Sequence, residues 1–143
     1  MTMIVVPYKA EHLARMQVQE AQRYLGRHMT PELAKSLEST LAFTALDGGG
    51  RVLIVAGVVE MWQNRALAWS YIDQHAGKHF LAIHRAVARF LEDAPFRRIE
   101  AEVDCEFEPG HRWARKLGFV LEAPRMRSFR IDGGDSALYA RVK

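Results

Sequence analysis

The chain has 143 residues, of which 49% are hydrophobic, 10% aromatic and 26% charged. This is enough apolar material for one packed domain over residues 1–143, and too much for a disordered chain. The formal charge of +3 is a mild excess, and acids from Glu100 to Glu108 interleave with the arginines between Arg97 and Arg130, which argues against a nucleic-acid surface.

One cysteine, Cys105, excludes an intrachain disulfide and fits a reducing compartment. No run reaches the ~18 apolar residues of a membrane span. The opening MTMIVVPYKAEH lacks the basic and apolar regions of a signal peptide. The expected location is the cytoplasm, of a cell or of an infected host.

MIVVPY is a β-branched run ending at Pro7, suited to a first strand. KAEHLARMQVQEAQRYLG places Leu13, Met16, Ala21, Tyr24 and Leu25 near one helical face, with Gly26 as a stop. TPELAKSLEST has Thr30 as N-cap, Pro31 at N1 and Glu32 in the first turn, so a second helix starts there. LAFTALDGGGRVLIVAGVVEMW reads as two strands around the Asp47–Gly50 turn. Gly57 inside the second strand marks a bulge or a close backbone approach.

RALAWSYID is a fourth strand. GKHFLAIHRAVARFLED is a helix with Phe80, Ile83, Val87, Phe90 and Leu91 on one side. FRRIEAEVD alternates Ile99, Ala101 and Val103 with Glu100, Glu102 and Asp104, a strand with one buried and one polar face. EPGHRWARKLG is a short helix with Pro109 in its first turn and Gly118 at its end. FVLEAPRMRSFR and SALYARV close the chain as two strands around the Asp132–Asp135 turn. The pattern predicts an α/β (α+β) domain, a mixed and mostly antiparallel sheet with one βαβ crossover from RALAWSYID to FRRIEAEVD.

This order of elements resembles the GNAT superfamily of acyl-CoA-dependent N-acetyltransferases over nearly the whole chain. Two motifs add to it. Gln74-x-x-Gly77-x-His79, between a central strand and a helix, is similar to the family's Arg/Gln-x-x-Gly-x-Gly/Ala. Lys116-Leu117-Gly118-Phe119 closes the late helix as Lys-Leu-Gly-Phe does in the family. The resemblance implies six to seven strands flanked by about four helices.

It also implies acetyl-CoA as cosubstrate and an amine of unknown identity, on a small molecule or a protein, as acceptor. The diphosphate of coenzyme A would lie on backbone N–H groups of Gln74, His75, Ala76, Gly77, Lys78 and His79, at a helix start whose dipole favours an anion. Glycine lets the phosphate approach the main chain. Backbone groups of Ser70, Tyr71 and Ile72 would pair with the pantetheine amides. The acyl thioester would sit between RALAWSYID and FRRIEAEVD, where a deprotonated amine attacks it directly and the thiolate leaves.

Three positions depart from the family pattern. His79 stands where a small residue is usual, Phe107 where an asparagine often contacts the cofactor, and Ala114 where a tyrosine often serves as general acid. Glu60, Glu100 or Glu102 can serve as base, and each also reads as a solvated strand carboxylate. Tyr139 and Tyr71 can stand in as acids or pack in the core. Cys105 ends a strand near the expected cleft, as an acyl carrier or a small structural residue.

His75 and His79 are four apart and His84 follows, but no carboxylate completes a known metal pattern, so no metal is expected. His111 reads as a surface or cleft-rim residue. Trp62, Trp69 and Trp113 line a groove or fill the core.

Three functions compete: an acetyltransferase; a GNAT-fold protein without catalysis, similar to the GNAT-like proteins of phages and prophages and so a structural or partner-binding part, in a virion if phage-encoded; and a nucleic-acid or partner-binding module built on Arg125, Arg127 and Arg130. An edge strand such as SALYARV offers a route to a homodimer.

Overall fold

The computed structural model describes residues 2–26 and 28–143. Strand β1 (Ile4–Pro7) leads into helix α1 (Ala10–Arg15). The apolar pattern predicts one helix from Lys9 to Gly26, but the helix breaks. Met16 turns extended at ψ 149, and helix resumes only with a 3-10 turn at Glu20–Gln22 and α2 (Arg23–Gly26). The backbone of Gln17 and Gln19 bonds instead to Gln74 and Ile72, and this long-range pairing overrides helical propensity. Helix α3 (Pro31–Ser36) starts as expected, with the Thr30 hydroxyl accepting from Leu33 N at 3.1 Å.

Strands β2 (Leu41–Leu46), β3 (Val52–Trp62) and β4 (Arg65–Ile72) follow, then a 3-10 turn at Gly77–His79 and helix α4 (Phe80–Asp93). Strand β5 (Arg98–Asp104), helix α5 (Glu108–Lys116), β6 (Val120–Met126) and β7 (Ser136–Val142) complete the chain. The seven strands lie in the order β1-β2-β3-β4-β5-β7-β6. Strand β4 pairs with β5 in parallel, and β7 is antiparallel to both β5 and β6. SALYARV is therefore an interior strand, because β7 inserts between its two neighbours. The open edges belong to β1 and β6.

Two compact units divide the chain: residues up to Val59 with Trp69–Ala94, and Glu60–Ala68 with Pro95–Lys143. In the first, Tyr8, Leu37, Val52 and Val55 form a core that Leu13, Met16, Trp69 and Tyr71 pack against. The Tyr8 hydroxyl donates to Ala34 O at 2.9 Å, and its ring meets Trp69 edge-on at 5.6 Å. Burial, then Glu38 and Tyr71, pushes the Tyr8 phenol up to about 12.

Helix α4 buries Ile83, Val87 and Leu91, and Phe90 meets Phe43 at 5.1 Å, while Phe80 stays 36% exposed at the helix start. Gly57 answers to close approach: a Cβ there would lie 2.5 Å from Leu41 O and 2.7 Å from Ala42 Cβ. The bulge in this pair lies elsewhere, between Ala45 and Leu46.

In the second unit α5 ends on Gly118 at φ +92, with Gly118 N bonded to Arg115 O and Phe119 N to Ala114 O, both at 3.0 Å. That is the left-handed helix stop expected of glycine. Among the described residues no helix is long and apolar enough to cross a membrane.

Candidate active site

Strand β4 carries the first part of the site. Asp73 N donates to Leu53 O of β3 at 2.9 Å, so odd-numbered residues of this stretch turn their backbone groups toward β3. Ser70, Ile72 and Gln74 turn theirs to the other edge. The parallel ladder on that edge runs from Arg65↔Arg98 only to Leu67↔Glu100, although β4 continues to Ile72. Beyond Leu67 the edge is therefore open to partners other than β5. Tyr71 faces the opposite way: its ring lies 6.2 Å from that of Trp69, and burial, then Tyr24, pushes its phenol up. Half-buried against Trp69 and with its pKa raised, this phenol is a weaker acid than a free tyrosine.

The loop after β4 is organised by Asp73, whose side chain is 1% exposed. Its Oδ1 accepts from Gln17 N at 2.8 Å, and its Oδ2 accepts from His75 N at 2.9 Å and lies 3.1 Å from His75 Nδ1. Ala76 N donates to Asp73 O, Gln74 N to Gln17 O and His79 N to Ala76 O. Gln74, His75, Ala76 and His79 have thus spent their N–H groups within the protein. The N–H groups of Gly77 and Lys78 have no backbone acceptor among the described residues. Both residues are exposed, and a Cβ added at Gly77 would meet nothing within 4 Å. Of the six N–H groups of this loop, those of Gly77 and Lys78 therefore remain available to an anion.

His79 is 7% exposed and buries its Nε2 without a hydrogen-bond partner. Its imidazole is in the interior, so it does not cover the open face at Gly77. Among the described residues, no group of three or more His, Cys, Asp and Glu side chains is placed to hold a metal ion.

The second unit holds the residues expected to move protons. Glu100 is buried at 5% exposure, although alternation put it on a polar face. Arg65 grips it at 2.6 and 2.9 Å, and Arg98 Nε adds a third bond at 2.7 Å. Arg65 first, then Arg98, holds its carboxyl down to about 2, which removes the basicity a general base requires. Arg98 also forks onto Glu122 at 2.6 and 3.0 Å.

Tyr139 is 1% exposed and its cross-strand partner is Ala101, so it shares a face with Ala101 and lies opposite the face of Glu100. Glu100 and Tyr139 do not converge on one substrate position. Tyr139 Oη lies 2.7 Å from His111 Nδ1 instead. His111, a rim residue by sequence, gains this partner from the fold, since no local spacing signals a bond from α5 to β7.

Glu60 is an exposed carboxylate near the end of β3. Glu102 is also exposed, and the protein around its carboxyl, then the charge of Glu100, pushes its pKa up. Cys105 donates its thiol to Pro124 O at 3.4 Å in the turn after β5. Ala114, at the family's tyrosine position, is 5% exposed. Arg125 pairs with Asp135 and Glu106, and Arg130 with Asp104 and Asp132, so these two arginines are neutralised and present no one-signed surface.

No family model and no curated protein matches the sequence. Solved structures match it along its length. Ard1 from Thermoplasma volcanium superposes with a TM-score of 0.80 at 15% identity, over 99% of this chain and 98% of that one. An N-acetyltransferase from Staphylococcus aureus Mu50 gives 0.75 at 8% identity, over 99% and 98%. An acetyltransferase of the GNAT family from Streptococcus pneumoniae gives 0.68 at 12% identity, over 99% and 100%.

The chain has the GNAT fold. These neighbours lend no support to a phage origin. On the GNAT fold, Ser70, Ile72 and the Asp73–His79 loop line up at the end of β4. Tyr71 packs half-buried against the aromatic core, and of Glu60, Glu100 and Tyr139 only Glu60 keeps a carboxylate or hydroxyl open to solvent.

Proposed function

We propose that the protein is an acyl-CoA-dependent N-acetyltransferase that moves an acetyl group from acetyl-CoA to an amine by direct attack. The observation that carries this is a β4 edge that leaves the β5 ladder after Leu67, where Ser70 and Ile72 bond only a carboxamide and a short segment, and that runs into a loop keeping the Gly77 and Lys78 N–H groups available. An edge of alternating C=O and N–H suits the two amides of a pantetheine arm, and two N–H groups with an ammonium suit a diphosphate. When bound, acetyl-CoA supplies an electrophilic thioester carbon and a thiolate leaving group.

The protein's own residues orient and deprotonate. Among the strand carboxylates Glu102 is the proposed proton acceptor, because a carboxyl with a raised pKa is a stronger base than Glu100 held near 2. No side-chain acid is assigned, since a thiol of pKa ~8.5 leaves readily as its thiolate. The acceptor is an amine whose identity the site does not encode.

A calorimetric titration with acetyl-CoA tests the reading, and no heat of binding at millimolar cofactor overturns it. Gly77→Glu places a carboxylate against the diphosphate in space the fold leaves open, so it abolishes binding without loss of fold. One observation favours a second reading, a GNAT-fold structural or partner-binding protein without catalysis: the Gln22 side chain, just before α2, already bonds the β4 edge.

A further inference from the structure

The chain between α1 and α2 runs along the open edge of β4. Val18 bridges Asp73 in antiparallel sense, Gln74 N donates to Gln17 O at 2.8 Å, and Gln19 N donates to Ile72 O at 2.8 Å. The chain then turns into the 3-10 turn at Glu20–Gln22, and a side chain takes over from the backbone. Gln22 Nε2 donates to Ser70 O at 2.7 Å, and Ile72 N donates to Gln22 Oε1 at 3.0 Å. Gln19 Nε2 steadies the same carboxamide oxygen at 3.0 Å.

A carboxamide offers one donor side and one acceptor side, as a peptide unit does, and so does each amide of a pantetheine arm. Ser70 O and Ile72 N are the groups that the proposed function gives to that arm. Each is already in a short bond, and one carboxamide spans both. Two amides cannot hold this pair in the same geometry.

We infer that Gln22 is a latch on the cofactor edge, whose carboxamide competes with the pantetheine arm of coenzyme A and swings off when the arm binds. The inference rests on the coenzyme A reading of this site. Exchange of one amide for another conserves the hydrogen bonds of Ser70 and Ile72, so the latch lowers affinity without closing the site. Apparent affinity is reduced by the fraction of molecules in which the latch is open. The loop at Gly77 and Lys78 makes no bond to Gln22, so the nucleotide half of the cofactor is indifferent to it.

Gln22→Met keeps the length of the side chain and removes both bonds. Calorimetry of the full chain with coenzyme A and, separately, with its nucleotide half, 3′-phospho-ADP, reads the effect. The variant binds coenzyme A about fivefold more tightly and 3′-phospho-ADP with unchanged affinity. Hydrogen exchange at the Ile72 amide is faster in the unliganded variant, which reports release of the latch independently of any ligand.

Unchanged or weaker coenzyme A binding by Gln22→Met overturns the latch while leaving the coenzyme A site standing. An equal gain for both ligands also overturns it, since the effect is then not confined to the pantetheine edge. Failure of both ligands to bind either protein overturns the coenzyme A reading, and the latch with it.

Discussion

Tyr139 and His111 are joined at 2.7 Å between Oη and Nδ1, and the other imidazole nitrogen lies 3.0 Å from Cys105 O. A carbonyl oxygen only accepts, so Nε2 carries the proton and Nδ1 accepts from the tyrosine hydroxyl. The phenol that sequence offers as a general acid spends its proton inside the protein, on a residue that holds α5 to β7. Tyr139→Phe therefore lowers stability by about 1 kcal/mol or more, because it strands a partly buried nitrogen. It leaves turnover unchanged, whereas loss of a true general acid costs ~100-fold or more. Urea denaturation together with steady-state rates separates the two.

Glu102 carries the opposite expectation. Glu102→Gln keeps shape and removes the proposed base, so under that proposal kcat falls by ~100-fold or more while the unfolding midpoint stays in place. The acid limb of the wild-type pH–rate profile is displaced upward from that of an ordinary glutamate, the direction in which desolvation and Glu100 push this carboxyl, and it disappears in the variant. A variant with the wild-type profile would reassign the base to Glu60.

Glu100 controls acid stability. Its folded pKa of about 2 lies below the unfolded value of ~4.3, so the unfolded chain binds more protons between them. The contribution is complete above the unfolded value and is lost as the pH falls toward 2. Glu100→Gln costs about 3 kcal/mol at neutral pH, the low end for a buried pair because both arginines reach solvent. It also flattens this part of the curve, which denaturant melts at several pH values would show.

His12 acts in a higher window. It is 7% exposed, its Nδ1 accepts from Lys9 N at 3.1 Å, and Thr44 Oγ1 lies at 2.8 Å. Burial is the largest cause lowering its pKa, with Arg15 and Lys9 adding to it against Glu11 and Glu38. The unfolded histidine takes a proton first, so stability declines as the pH drops below ~6.5 toward the folded value. His12→Asn retains an acceptor and removes the titration, and its thermal midpoint is flat across this range.

Gly57→Ala tests the close approach of β2 and β3. A methyl 2.5 Å from Leu41 O must move backbone rather than a flexible side chain, so the cost is about 2 kcal/mol, read by urea denaturation.

Most of the fold is legible locally. Thr30-Pro31, the Asp47–Gly50 turn and Gly118 are determined by neighbours in sequence, and the structure places them where capping and turn chemistry require. What escapes the sequence is decided at long range. The period of Leu13 and Met16 continues past Arg15, yet Gln17 and Gln19 find partners more than fifty residues away on β4. Alternation marks Glu100 as polar-face, and only the pairing of β4 with β5 brings Arg65 to bury it. The glycine loop is readable as a motif, but which N–H groups it keeps depends on Asp73 and the Gln17 segment.

Arg98 gives the sheet an ionic margin. Its guanidinium joins Glu100 on β5 to Glu122 on β6, past the intervening β7, and β6 is an edge strand whose register slips twice. Glu122 is 41% exposed and Arg98 32%, so dissolved ions reach that link while the hydrogen bonds of the ladder are spared. Concentrated salt weakens this link to β6, a strand that already exposes Val120 and Leu121. An unpaired edge carrying two exposed aliphatic side chains is thus fastened by a clasp that dissolved salt screens.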